Sequence, residues 1–116
     1  MVWSTENPAH ERLTRLADDD HLSRPDVDWG RMFGTIGLRV RGKIFAVALH
    51  DGRGLMVKIP EQRARELVDA GEVEPMVMRG RPMREWVVAH LDAPDDVWSA
   101  LLDEAYAYLD EITPRS

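Results

Sequence analysis

The chain has 116 residues, 44% of them hydrophobic and 31% charged, with no cysteine and a formal net charge of −6. This length suits one domain, and the lack of cysteine excludes disulfide bonds, thiol nucleophiles and cysteine metal sites. No apolar run approaches the roughly 18 residues that a membrane-spanning helix needs, and the acidic balance argues against non-specific DNA binding.

The N-terminal part predicts one helix and a connection. Asn7 is a suitable cap, and apolar periodicity carries the helix to Ala17, after which three aspartates at 18–20 oppose the negative end of the helix dipole. The segment from His21 to Arg31 is rich in residues that break regular structure. We therefore expect it to be an irregular connection.

Three apolar runs separated by glycine turns follow, which predicts an antiparallel meander. The first run, from Ile36 to Val40, and the third, from Leu55 to Ile59, alternate apolar and polar residues. The second, from Ile44 to Leu49, is apolar throughout, so we expect a central strand with both faces covered. Gly42 and Gly52 are expected to supply the positive φ of the two turns.

Gly34 and Gly37 lie before and within the first predicted strand. Glycine at such positions indicates a β-bulge or a close approach of two backbones. We favour relief of strain in an edge strand over the alternative, a turn that contacts a ligand.

The second half of the chain predicts a helix, two strands and a longer helix. The first helix begins at Pro60 and ends at Gly71, and Pro75 places the strand after it at a sheet edge. A basic loop at 79–84 leads to a stronger strand at 85–91. The last helix begins near Asp95, carries a broad apolar stripe and ends at Pro114.

These elements give the order α-β-β-β-α-β-β-α. We predict a two-layer α+β sandwich in which an antiparallel sheet of about five strands packs against the helices. A single domain is expected to span residues 1–116, with loose termini at 1–6 and 113–116.

The candidate binding surface combines cations of the meander with the basic loop. If the loop folds over the polar sheet face, the cations converge into a surface for phosphate, nucleic acid or an acidic peptide. We favour the alternative, in which each cation pairs with a nearby carboxylate, because the chain has 21 acidic residues. The candidate residues are Arg39, Arg41, Lys43, Lys58, Arg79, Arg81, Arg84 and Trp86.

Motifs of catalysis are missing from the sequence. The four histidines, at positions 10, 21, 50 and 90, have no metal-ligand spacing, and no serine lies in a Gly-x-Ser-x-Gly elbow. Phosphate-binding glycine loops are also missing. We therefore assign no catalytic residue, no metal ligand and no cofactor, and expect the protein not to be an enzyme.

Several short motifs along the chain contain apolar residues, glycine and proline. Their residues are Met32, Phe33, Gly34, Gly37, Gly42, Gly52, Gly80, Pro82 and Met83. These motifs resemble the TfoX N-terminal domain family, over roughly Leu13 to Leu109. The resemblance implies a stand-alone interaction module, often dimeric, whose fold is like the secretion-chaperone type of α+β sandwich. It transfers no catalytic residue, and regulators of competence in that family carry a further helical domain that 116 residues do not accommodate.

We therefore expect a non-enzymatic binding or regulatory module that contacts an unidentified protein through a strand edge or helix face, and that forms a homodimer. An exposed tryptophan among Trp3, Trp29, Trp86 and Trp98 would mark the contact, although we favour the alternative that all four belong to the core. The alternative is a nucleic-acid-associated regulator that uses residues 79–84 and the meander cations. Because the first residues lack the cationic and apolar segments of a secretory signal, we expect a cytoplasmic protein without a membrane partner.

Overall fold

The computed structural model describes residues 8–19, 24–32, 35–49 and 52–114 of the chain. The elements are α1 Pro8–Asp19, β1 Val27–Met32, β2 Thr35–Val40, β3 Lys43–Ala48, β4 Gly54–Lys58, α2 Glu61–Asp69, β5 Glu74–Met78, β6 Arg81–His90 and α3 Asp95–Ile112. The six antiparallel strands within these ranges form one sheet of order β1-β2-β3-β4-β6-β5. The predicted α+β class with an antiparallel sheet is confirmed.

Strand β1 occupies most of the segment that the sequence predicts as a connection. Asp28 and Gly30 disfavour a strand locally, but β1 pairs with β2 over its whole length, with Gly30 opposite Gly37. The side chains of Val27 and Trp29 lie on the opposite face of β1 from Asp28 and pack against the core. The prediction of an irregular connection is therefore wrong from Val27 onwards, and the element order is α-β-β-β-β-α-β-β-α.

Strand β2 lies inside the sheet, so Gly37 does not belong to an edge strand. A Cβ atom on Gly37 would lie 2.7 Å from the carbonyl oxygen of Ala46 on β3. The register of β2 against β3 also shifts, between Leu38 and Arg39. The glycine therefore permits a close backbone approach beside a bulge, while Phe33, Gly34 and the side chain of Met32 lie outside the described residues.

The helices build the main core on one face of the sheet. Phe45 of β3 and Trp98 of α3 are the largest fully buried side chains in it, and the Trp98 indole N–H donates a hydrogen bond to the His90 carbonyl oxygen at 3.0 Å. Residues 45–48 of β3 are buried, as predicted for the central run. The apolar stripe of α3 holds as far as Leu109, but Ile112 is exposed.

Arg41 ties the turn between β2 and β3 to the end of α3. Arg41 and Gly42 both have positive φ, 48° and 84°, as a tight hairpin requires. The guanidinium donates to the side chains of Asp26 and Asp110, and to the carbonyl oxygens of Asp110 and Thr113. Thr113 is buried, so residue 113 is held against the body of the protein.

Helix α2 ends as the sequence predicts. Gly71 has φ of 76°, and its N–H donates to the carbonyl oxygen of Val68. The chain then enters β5, which forms one edge of the sheet and contains Pro75, in agreement with the predicted edge position. Across the described ranges, no helix is long and apolar enough to cross a membrane.

Candidate functional site

The basic segment at 79–84 is a hairpin and not a loop. Arg79 and Gly80 form a two-residue turn with φ of 54° and 77°, and β6 begins at Arg81. Two successive positive φ values are typical of a type I′ turn. The predicted basic loop is therefore wrong. The signal that could have shown this is the Arg-Gly dipeptide, which forms the same kind of turn at 41–42.

Three meander cations of the candidate surface are paired with carboxylates. Arg39 makes two hydrogen bonds to Asp28, at 3.0 and 2.7 Å. The Arg41 guanidinium is hydrogen-bonded to Asp110 and Asp26, and this pairing raises its pKa above the usual range. Lys58 lies 3.9 Å from Glu85. These contacts agree with the favoured alternative, in which the cations neutralise neighbouring acids.

The hairpin arginines, which we define as Arg79, Arg81 and Arg84, are exposed. In the part of the chain that the structure describes, no ion pair involves them or Lys43. Three strand spacings separate β2 from β6, about 14 Å, so these arginines do not converge with Arg39. The eight candidate residues do not form one surface.

The sheet face opposite the helices carries a second apolar cluster, which we call the methionine face. Within the described ranges no helix residue belongs to it. Trp86 is half-buried against this cluster, whereas Trp98 is fully buried and Trp3 lies outside the described residues. Trp86 is therefore the tryptophan of the candidate surface that reaches the methionine face. The buried members are Val47, Met56, Met76 and Val88, flanked by Ile44, Leu49, Met78, Met83 and Trp86.

The open edge of β5 presents unused backbone groups at Val77. The turn closes at Met78 and Arg81, which places Val77 opposite Pro82 in the next pair. Pairs alternate between bonded and non-bonded in an antiparallel ladder, and Pro82 has no N–H to donate. The N–H and C=O of Val77 therefore point away from β6, and the residue is 53% exposed.

The ladder between β5 and β6 is broken beside this edge. Pro75 lies opposite Val87, but the next residue, Met76, lies opposite Met83. Residues 84–86 of β6 consequently have no β5 residue opposite them. Bulges of this kind re-aim side chains and end strand pairing locally.

This bulge lies beside α2 and opens a groove of about 470 Å³. Seven of the ten residues that line it are apolar, and the remaining three are charged. Its α2 wall consists of Glu61, Ala64, Arg65 and Val68, and its strand wall consists of Pro75, Pro82, Met83, Arg84, Trp86 and Val87.

Other contacts anchor the bulge on its β4 side. The N–H of Ile59 donates to the Glu85 carbonyl oxygen at 2.9 Å. The Tyr108 hydroxyl of α3 donates a hydrogen bond to the Glu85 carboxylate, which raises the pKa of Tyr108 to about 12. The bulge is thus fixed on the side of the core and open on the side of β5.

Metal ligands do not cluster in the described ranges, where no group of three or more His, Asp or Glu side chains is placed to hold an ion. His90 is exposed, and its Nε2 atom lies 3.2 Å from the Glu74 carboxylate. His50 lies outside the described residues.

The fold and these surfaces define a small α+β domain with helices on one sheet face and an open edge at β5. A family model, YjbR, matches residues 22–108, so the chain belongs to the YjbR family. The resemblance to the TfoX N-terminal domain family is therefore wrong. The described motif residues have structural roles that are common to many antiparallel sheets. Gly37 permits a close approach of two strands, and Gly42 and Gly80 adopt the positive φ of tight turns. No curated protein matches the chain.

Proposed function

We propose that this protein is a non-enzymatic interaction module that binds a partner protein by adding a strand to the open edge of β5. The observation that supports this most directly is Val77, whose exposed side chain and outward N–H and C=O offer an unfilled ladder position. In strand addition, such backbone groups supply affinity and the alternating side chains supply specificity.

The two sheet edges differ in the way that this proposal requires. Natural proteins protect edge strands with charge, and β1 carries Asp28 and Arg31. Residues 76–78 of β5 carry no charge, and the two protective residues, Glu74 and Pro75, lie at its far end. An added strand would therefore pair with the half of β5 next to the turn, where Met76 and Met78 border the methionine face.

The test substitutes Val77→Pro. This variant lacks the outward N–H but keeps the β5–β6 ladder, because that N–H is not used there. A protein captured from native lysate by the tagged chain is purified, and its affinity for both chains is measured by calorimetry. We expect about tenfold weaker binding to Val77→Pro, the effect of losing one hydrogen bond and displacing the strand.

Val77→Thr is the matched control because it keeps the backbone donor and the β-branched shape. Its affinity is expected to stay close to that of the unmodified chain. Equal binding by Val77→Pro, in a variant whose thermal unfolding is unchanged, would exclude the β5 edge as the contact.

A second copy of the chain is the first partner to examine. Two β5 strands can pair around a twofold axis at Val77, which gives a closed dimer in which the β5 edge of each copy is paired. Sedimentation equilibrium should then show a dimer that dissociates in Val77→Pro. A strict monomer at all concentrations would contradict the homodimer and leave a different protein as the partner.

Nucleic-acid binding is the second candidate function, and the hairpin arginines without ion pairs favour it. The net charge of −6 and the pairing of Arg39, Arg41 and Lys58 oppose it. It predicts salt-sensitive retention of duplex DNA that weakens in Arg81→Ala and Arg84→Ala. If DNA is not retained at low salt, this function is excluded.

A further inference from the structure

The groove beside α2 points to a second site, separate from strand addition. We propose that it binds a small organic anion of the aryl carboxylate class, in which an aromatic ring carries a carboxylate on a short arm. The proposal does not depend on a partner at β5, since only Pro75 belongs both to that strand and to the groove.

The size and origin of the groove suit a small ligand. Its volume of about 470 Å³ falls within the range of small-molecule sites. It arises from the broken ladder at 84–86, which is anchored by the Ile59 N–H and by Tyr108. A groove that the backbone itself creates is present before any ligand arrives.

The lining calls for an apolar body on the ligand. Ala64 and Val87 are buried, and Trp86 and Met83, which also flank the methionine face, are half-buried. Aromatic rings pack well against tryptophan, and methionine sulfur makes favourable contacts with ring edges. A ligand that is polar throughout would leave seven apolar side chains without contacts.

The charges call for one carboxylate. Arg84 has no ion pair among the described residues, and Arg65 pairs only with Glu61 on the same helix, at 2.7 Å. The three charged groups of the groove therefore leave one positive charge without a counter-ion, in a chain whose net charge is −6. A guanidinium binds a carboxylate through two parallel hydrogen bonds, which an amine or amide ligand cannot accept in the same way.

The experiment is a titration of the ¹⁵N-labelled full chain, followed by NMR, with three probes of similar shape. These are 3-phenylpropionate, its neutral amide 3-phenylpropionamide and the cation phenethylamine. We expect 3-phenylpropionate to shift the Trp86 indole N–H and the amides of residues 64–68 and 83–87, with millimolar affinity. The amide should bind at least about fivefold more weakly, and the amine should not bind.

Three variants test where the ligand binds. Arg84→Gln should weaken 3-phenylpropionate about tenfold, because the charge-assisted hydrogen bonds are lost. Arg81→Gln removes an exposed arginine of the same hairpin that does not line the groove, and binding should be unchanged. Val68→Phe fills the groove from α2 and should abolish the shifts while the spectrum stays that of a folded chain.

Three results would overturn the proposal. They are equal affinity for 3-phenylpropionate and 3-phenylpropionamide, equal losses in Arg84→Gln and Arg81→Gln, and no shift at these residues up to about 10 mM probe, beyond which fragment binding is too weak to be specific. None of them bears on Val77, so this inference and the strand-addition function can fail independently.

Discussion

Gly54 of β4 lies so close to Ala89 of β6 that a Cβ atom at residue 54 would sit 2.1 Å from the Ala89 carbonyl oxygen. The pairing of β4 with β6 is the seam that joins the four-stranded meander to the β5–β6 hairpin. The glycine is therefore required by the distance between two backbones, and the seam depends on it.

Gly54→Ala should destabilise the fold by about 3 kcal/mol, because neither backbone can move away without breaking the ladder. The matched control is Gly42→Ala, since a Cβ atom there meets nothing within 4 Å and only the φ of 84° is strained. That control should cost about 1 kcal/mol. Urea unfolding of both variants measures the difference, and similar costs would show that β4 and β6 can separate.

Arg41→Ala should lower the urea midpoint at least about twice as much as Arg39→Ala does. Both arginines pair with aspartates, but Arg41 also donates to the carbonyl oxygens of Asp110 and Thr113 at the end of α3, and its removal deletes these two hydrogen bonds as well. The Arg39 pair is more exposed and joins neighbouring strands only. Equal effects would mean that the link to α3 adds nothing to stability.

Stability should fall as the pH drops below the ordinary histidine range. Burial lowers the pKa of His10 below 6.5, and the nearby Glu11 only partly offsets this. The unfolded chain therefore takes up a proton near pH 6.5 that the folded chain takes up only at lower pH, so protonation favours unfolding. The free energy of unfolding should be smaller at about pH 5.5 than at about pH 7.5. His10→Gln should flatten this change.

The sheet could largely be predicted from apolar alternation and turn glycines. The run from Ile44 to Leu49 identified the buried strand β3, and Gly71 marked the end of α2. Strand β1 could not be found in this way, because Asp28 and Gly30 have low strand propensity and its pairing with β2 is a tertiary contact.

The candidate site was less predictable, because its geometry depends on register. Composition identified the arginines, but which of them pair with carboxylates follows from strand order. The bulge at residues 84–86 involves two prolines on adjacent strands, and sequence alone does not show that Pro75 and Pro82 share one ladder. Arg65 and the groove were missed for the same reason.

Strand β5 is held to the sheet by β6 alone, through two short ladder pieces on either side of the bulge. None of its five residues belongs to the helix-covered core. In hydrogen-exchange experiments the amides of Met76 and Met78 should thus lose their protection well before those of β3, by a sub-global opening that leaves the rest of the molecule folded. The strand to which we propose that a partner binds would then also be the first strand to detach from the sheet.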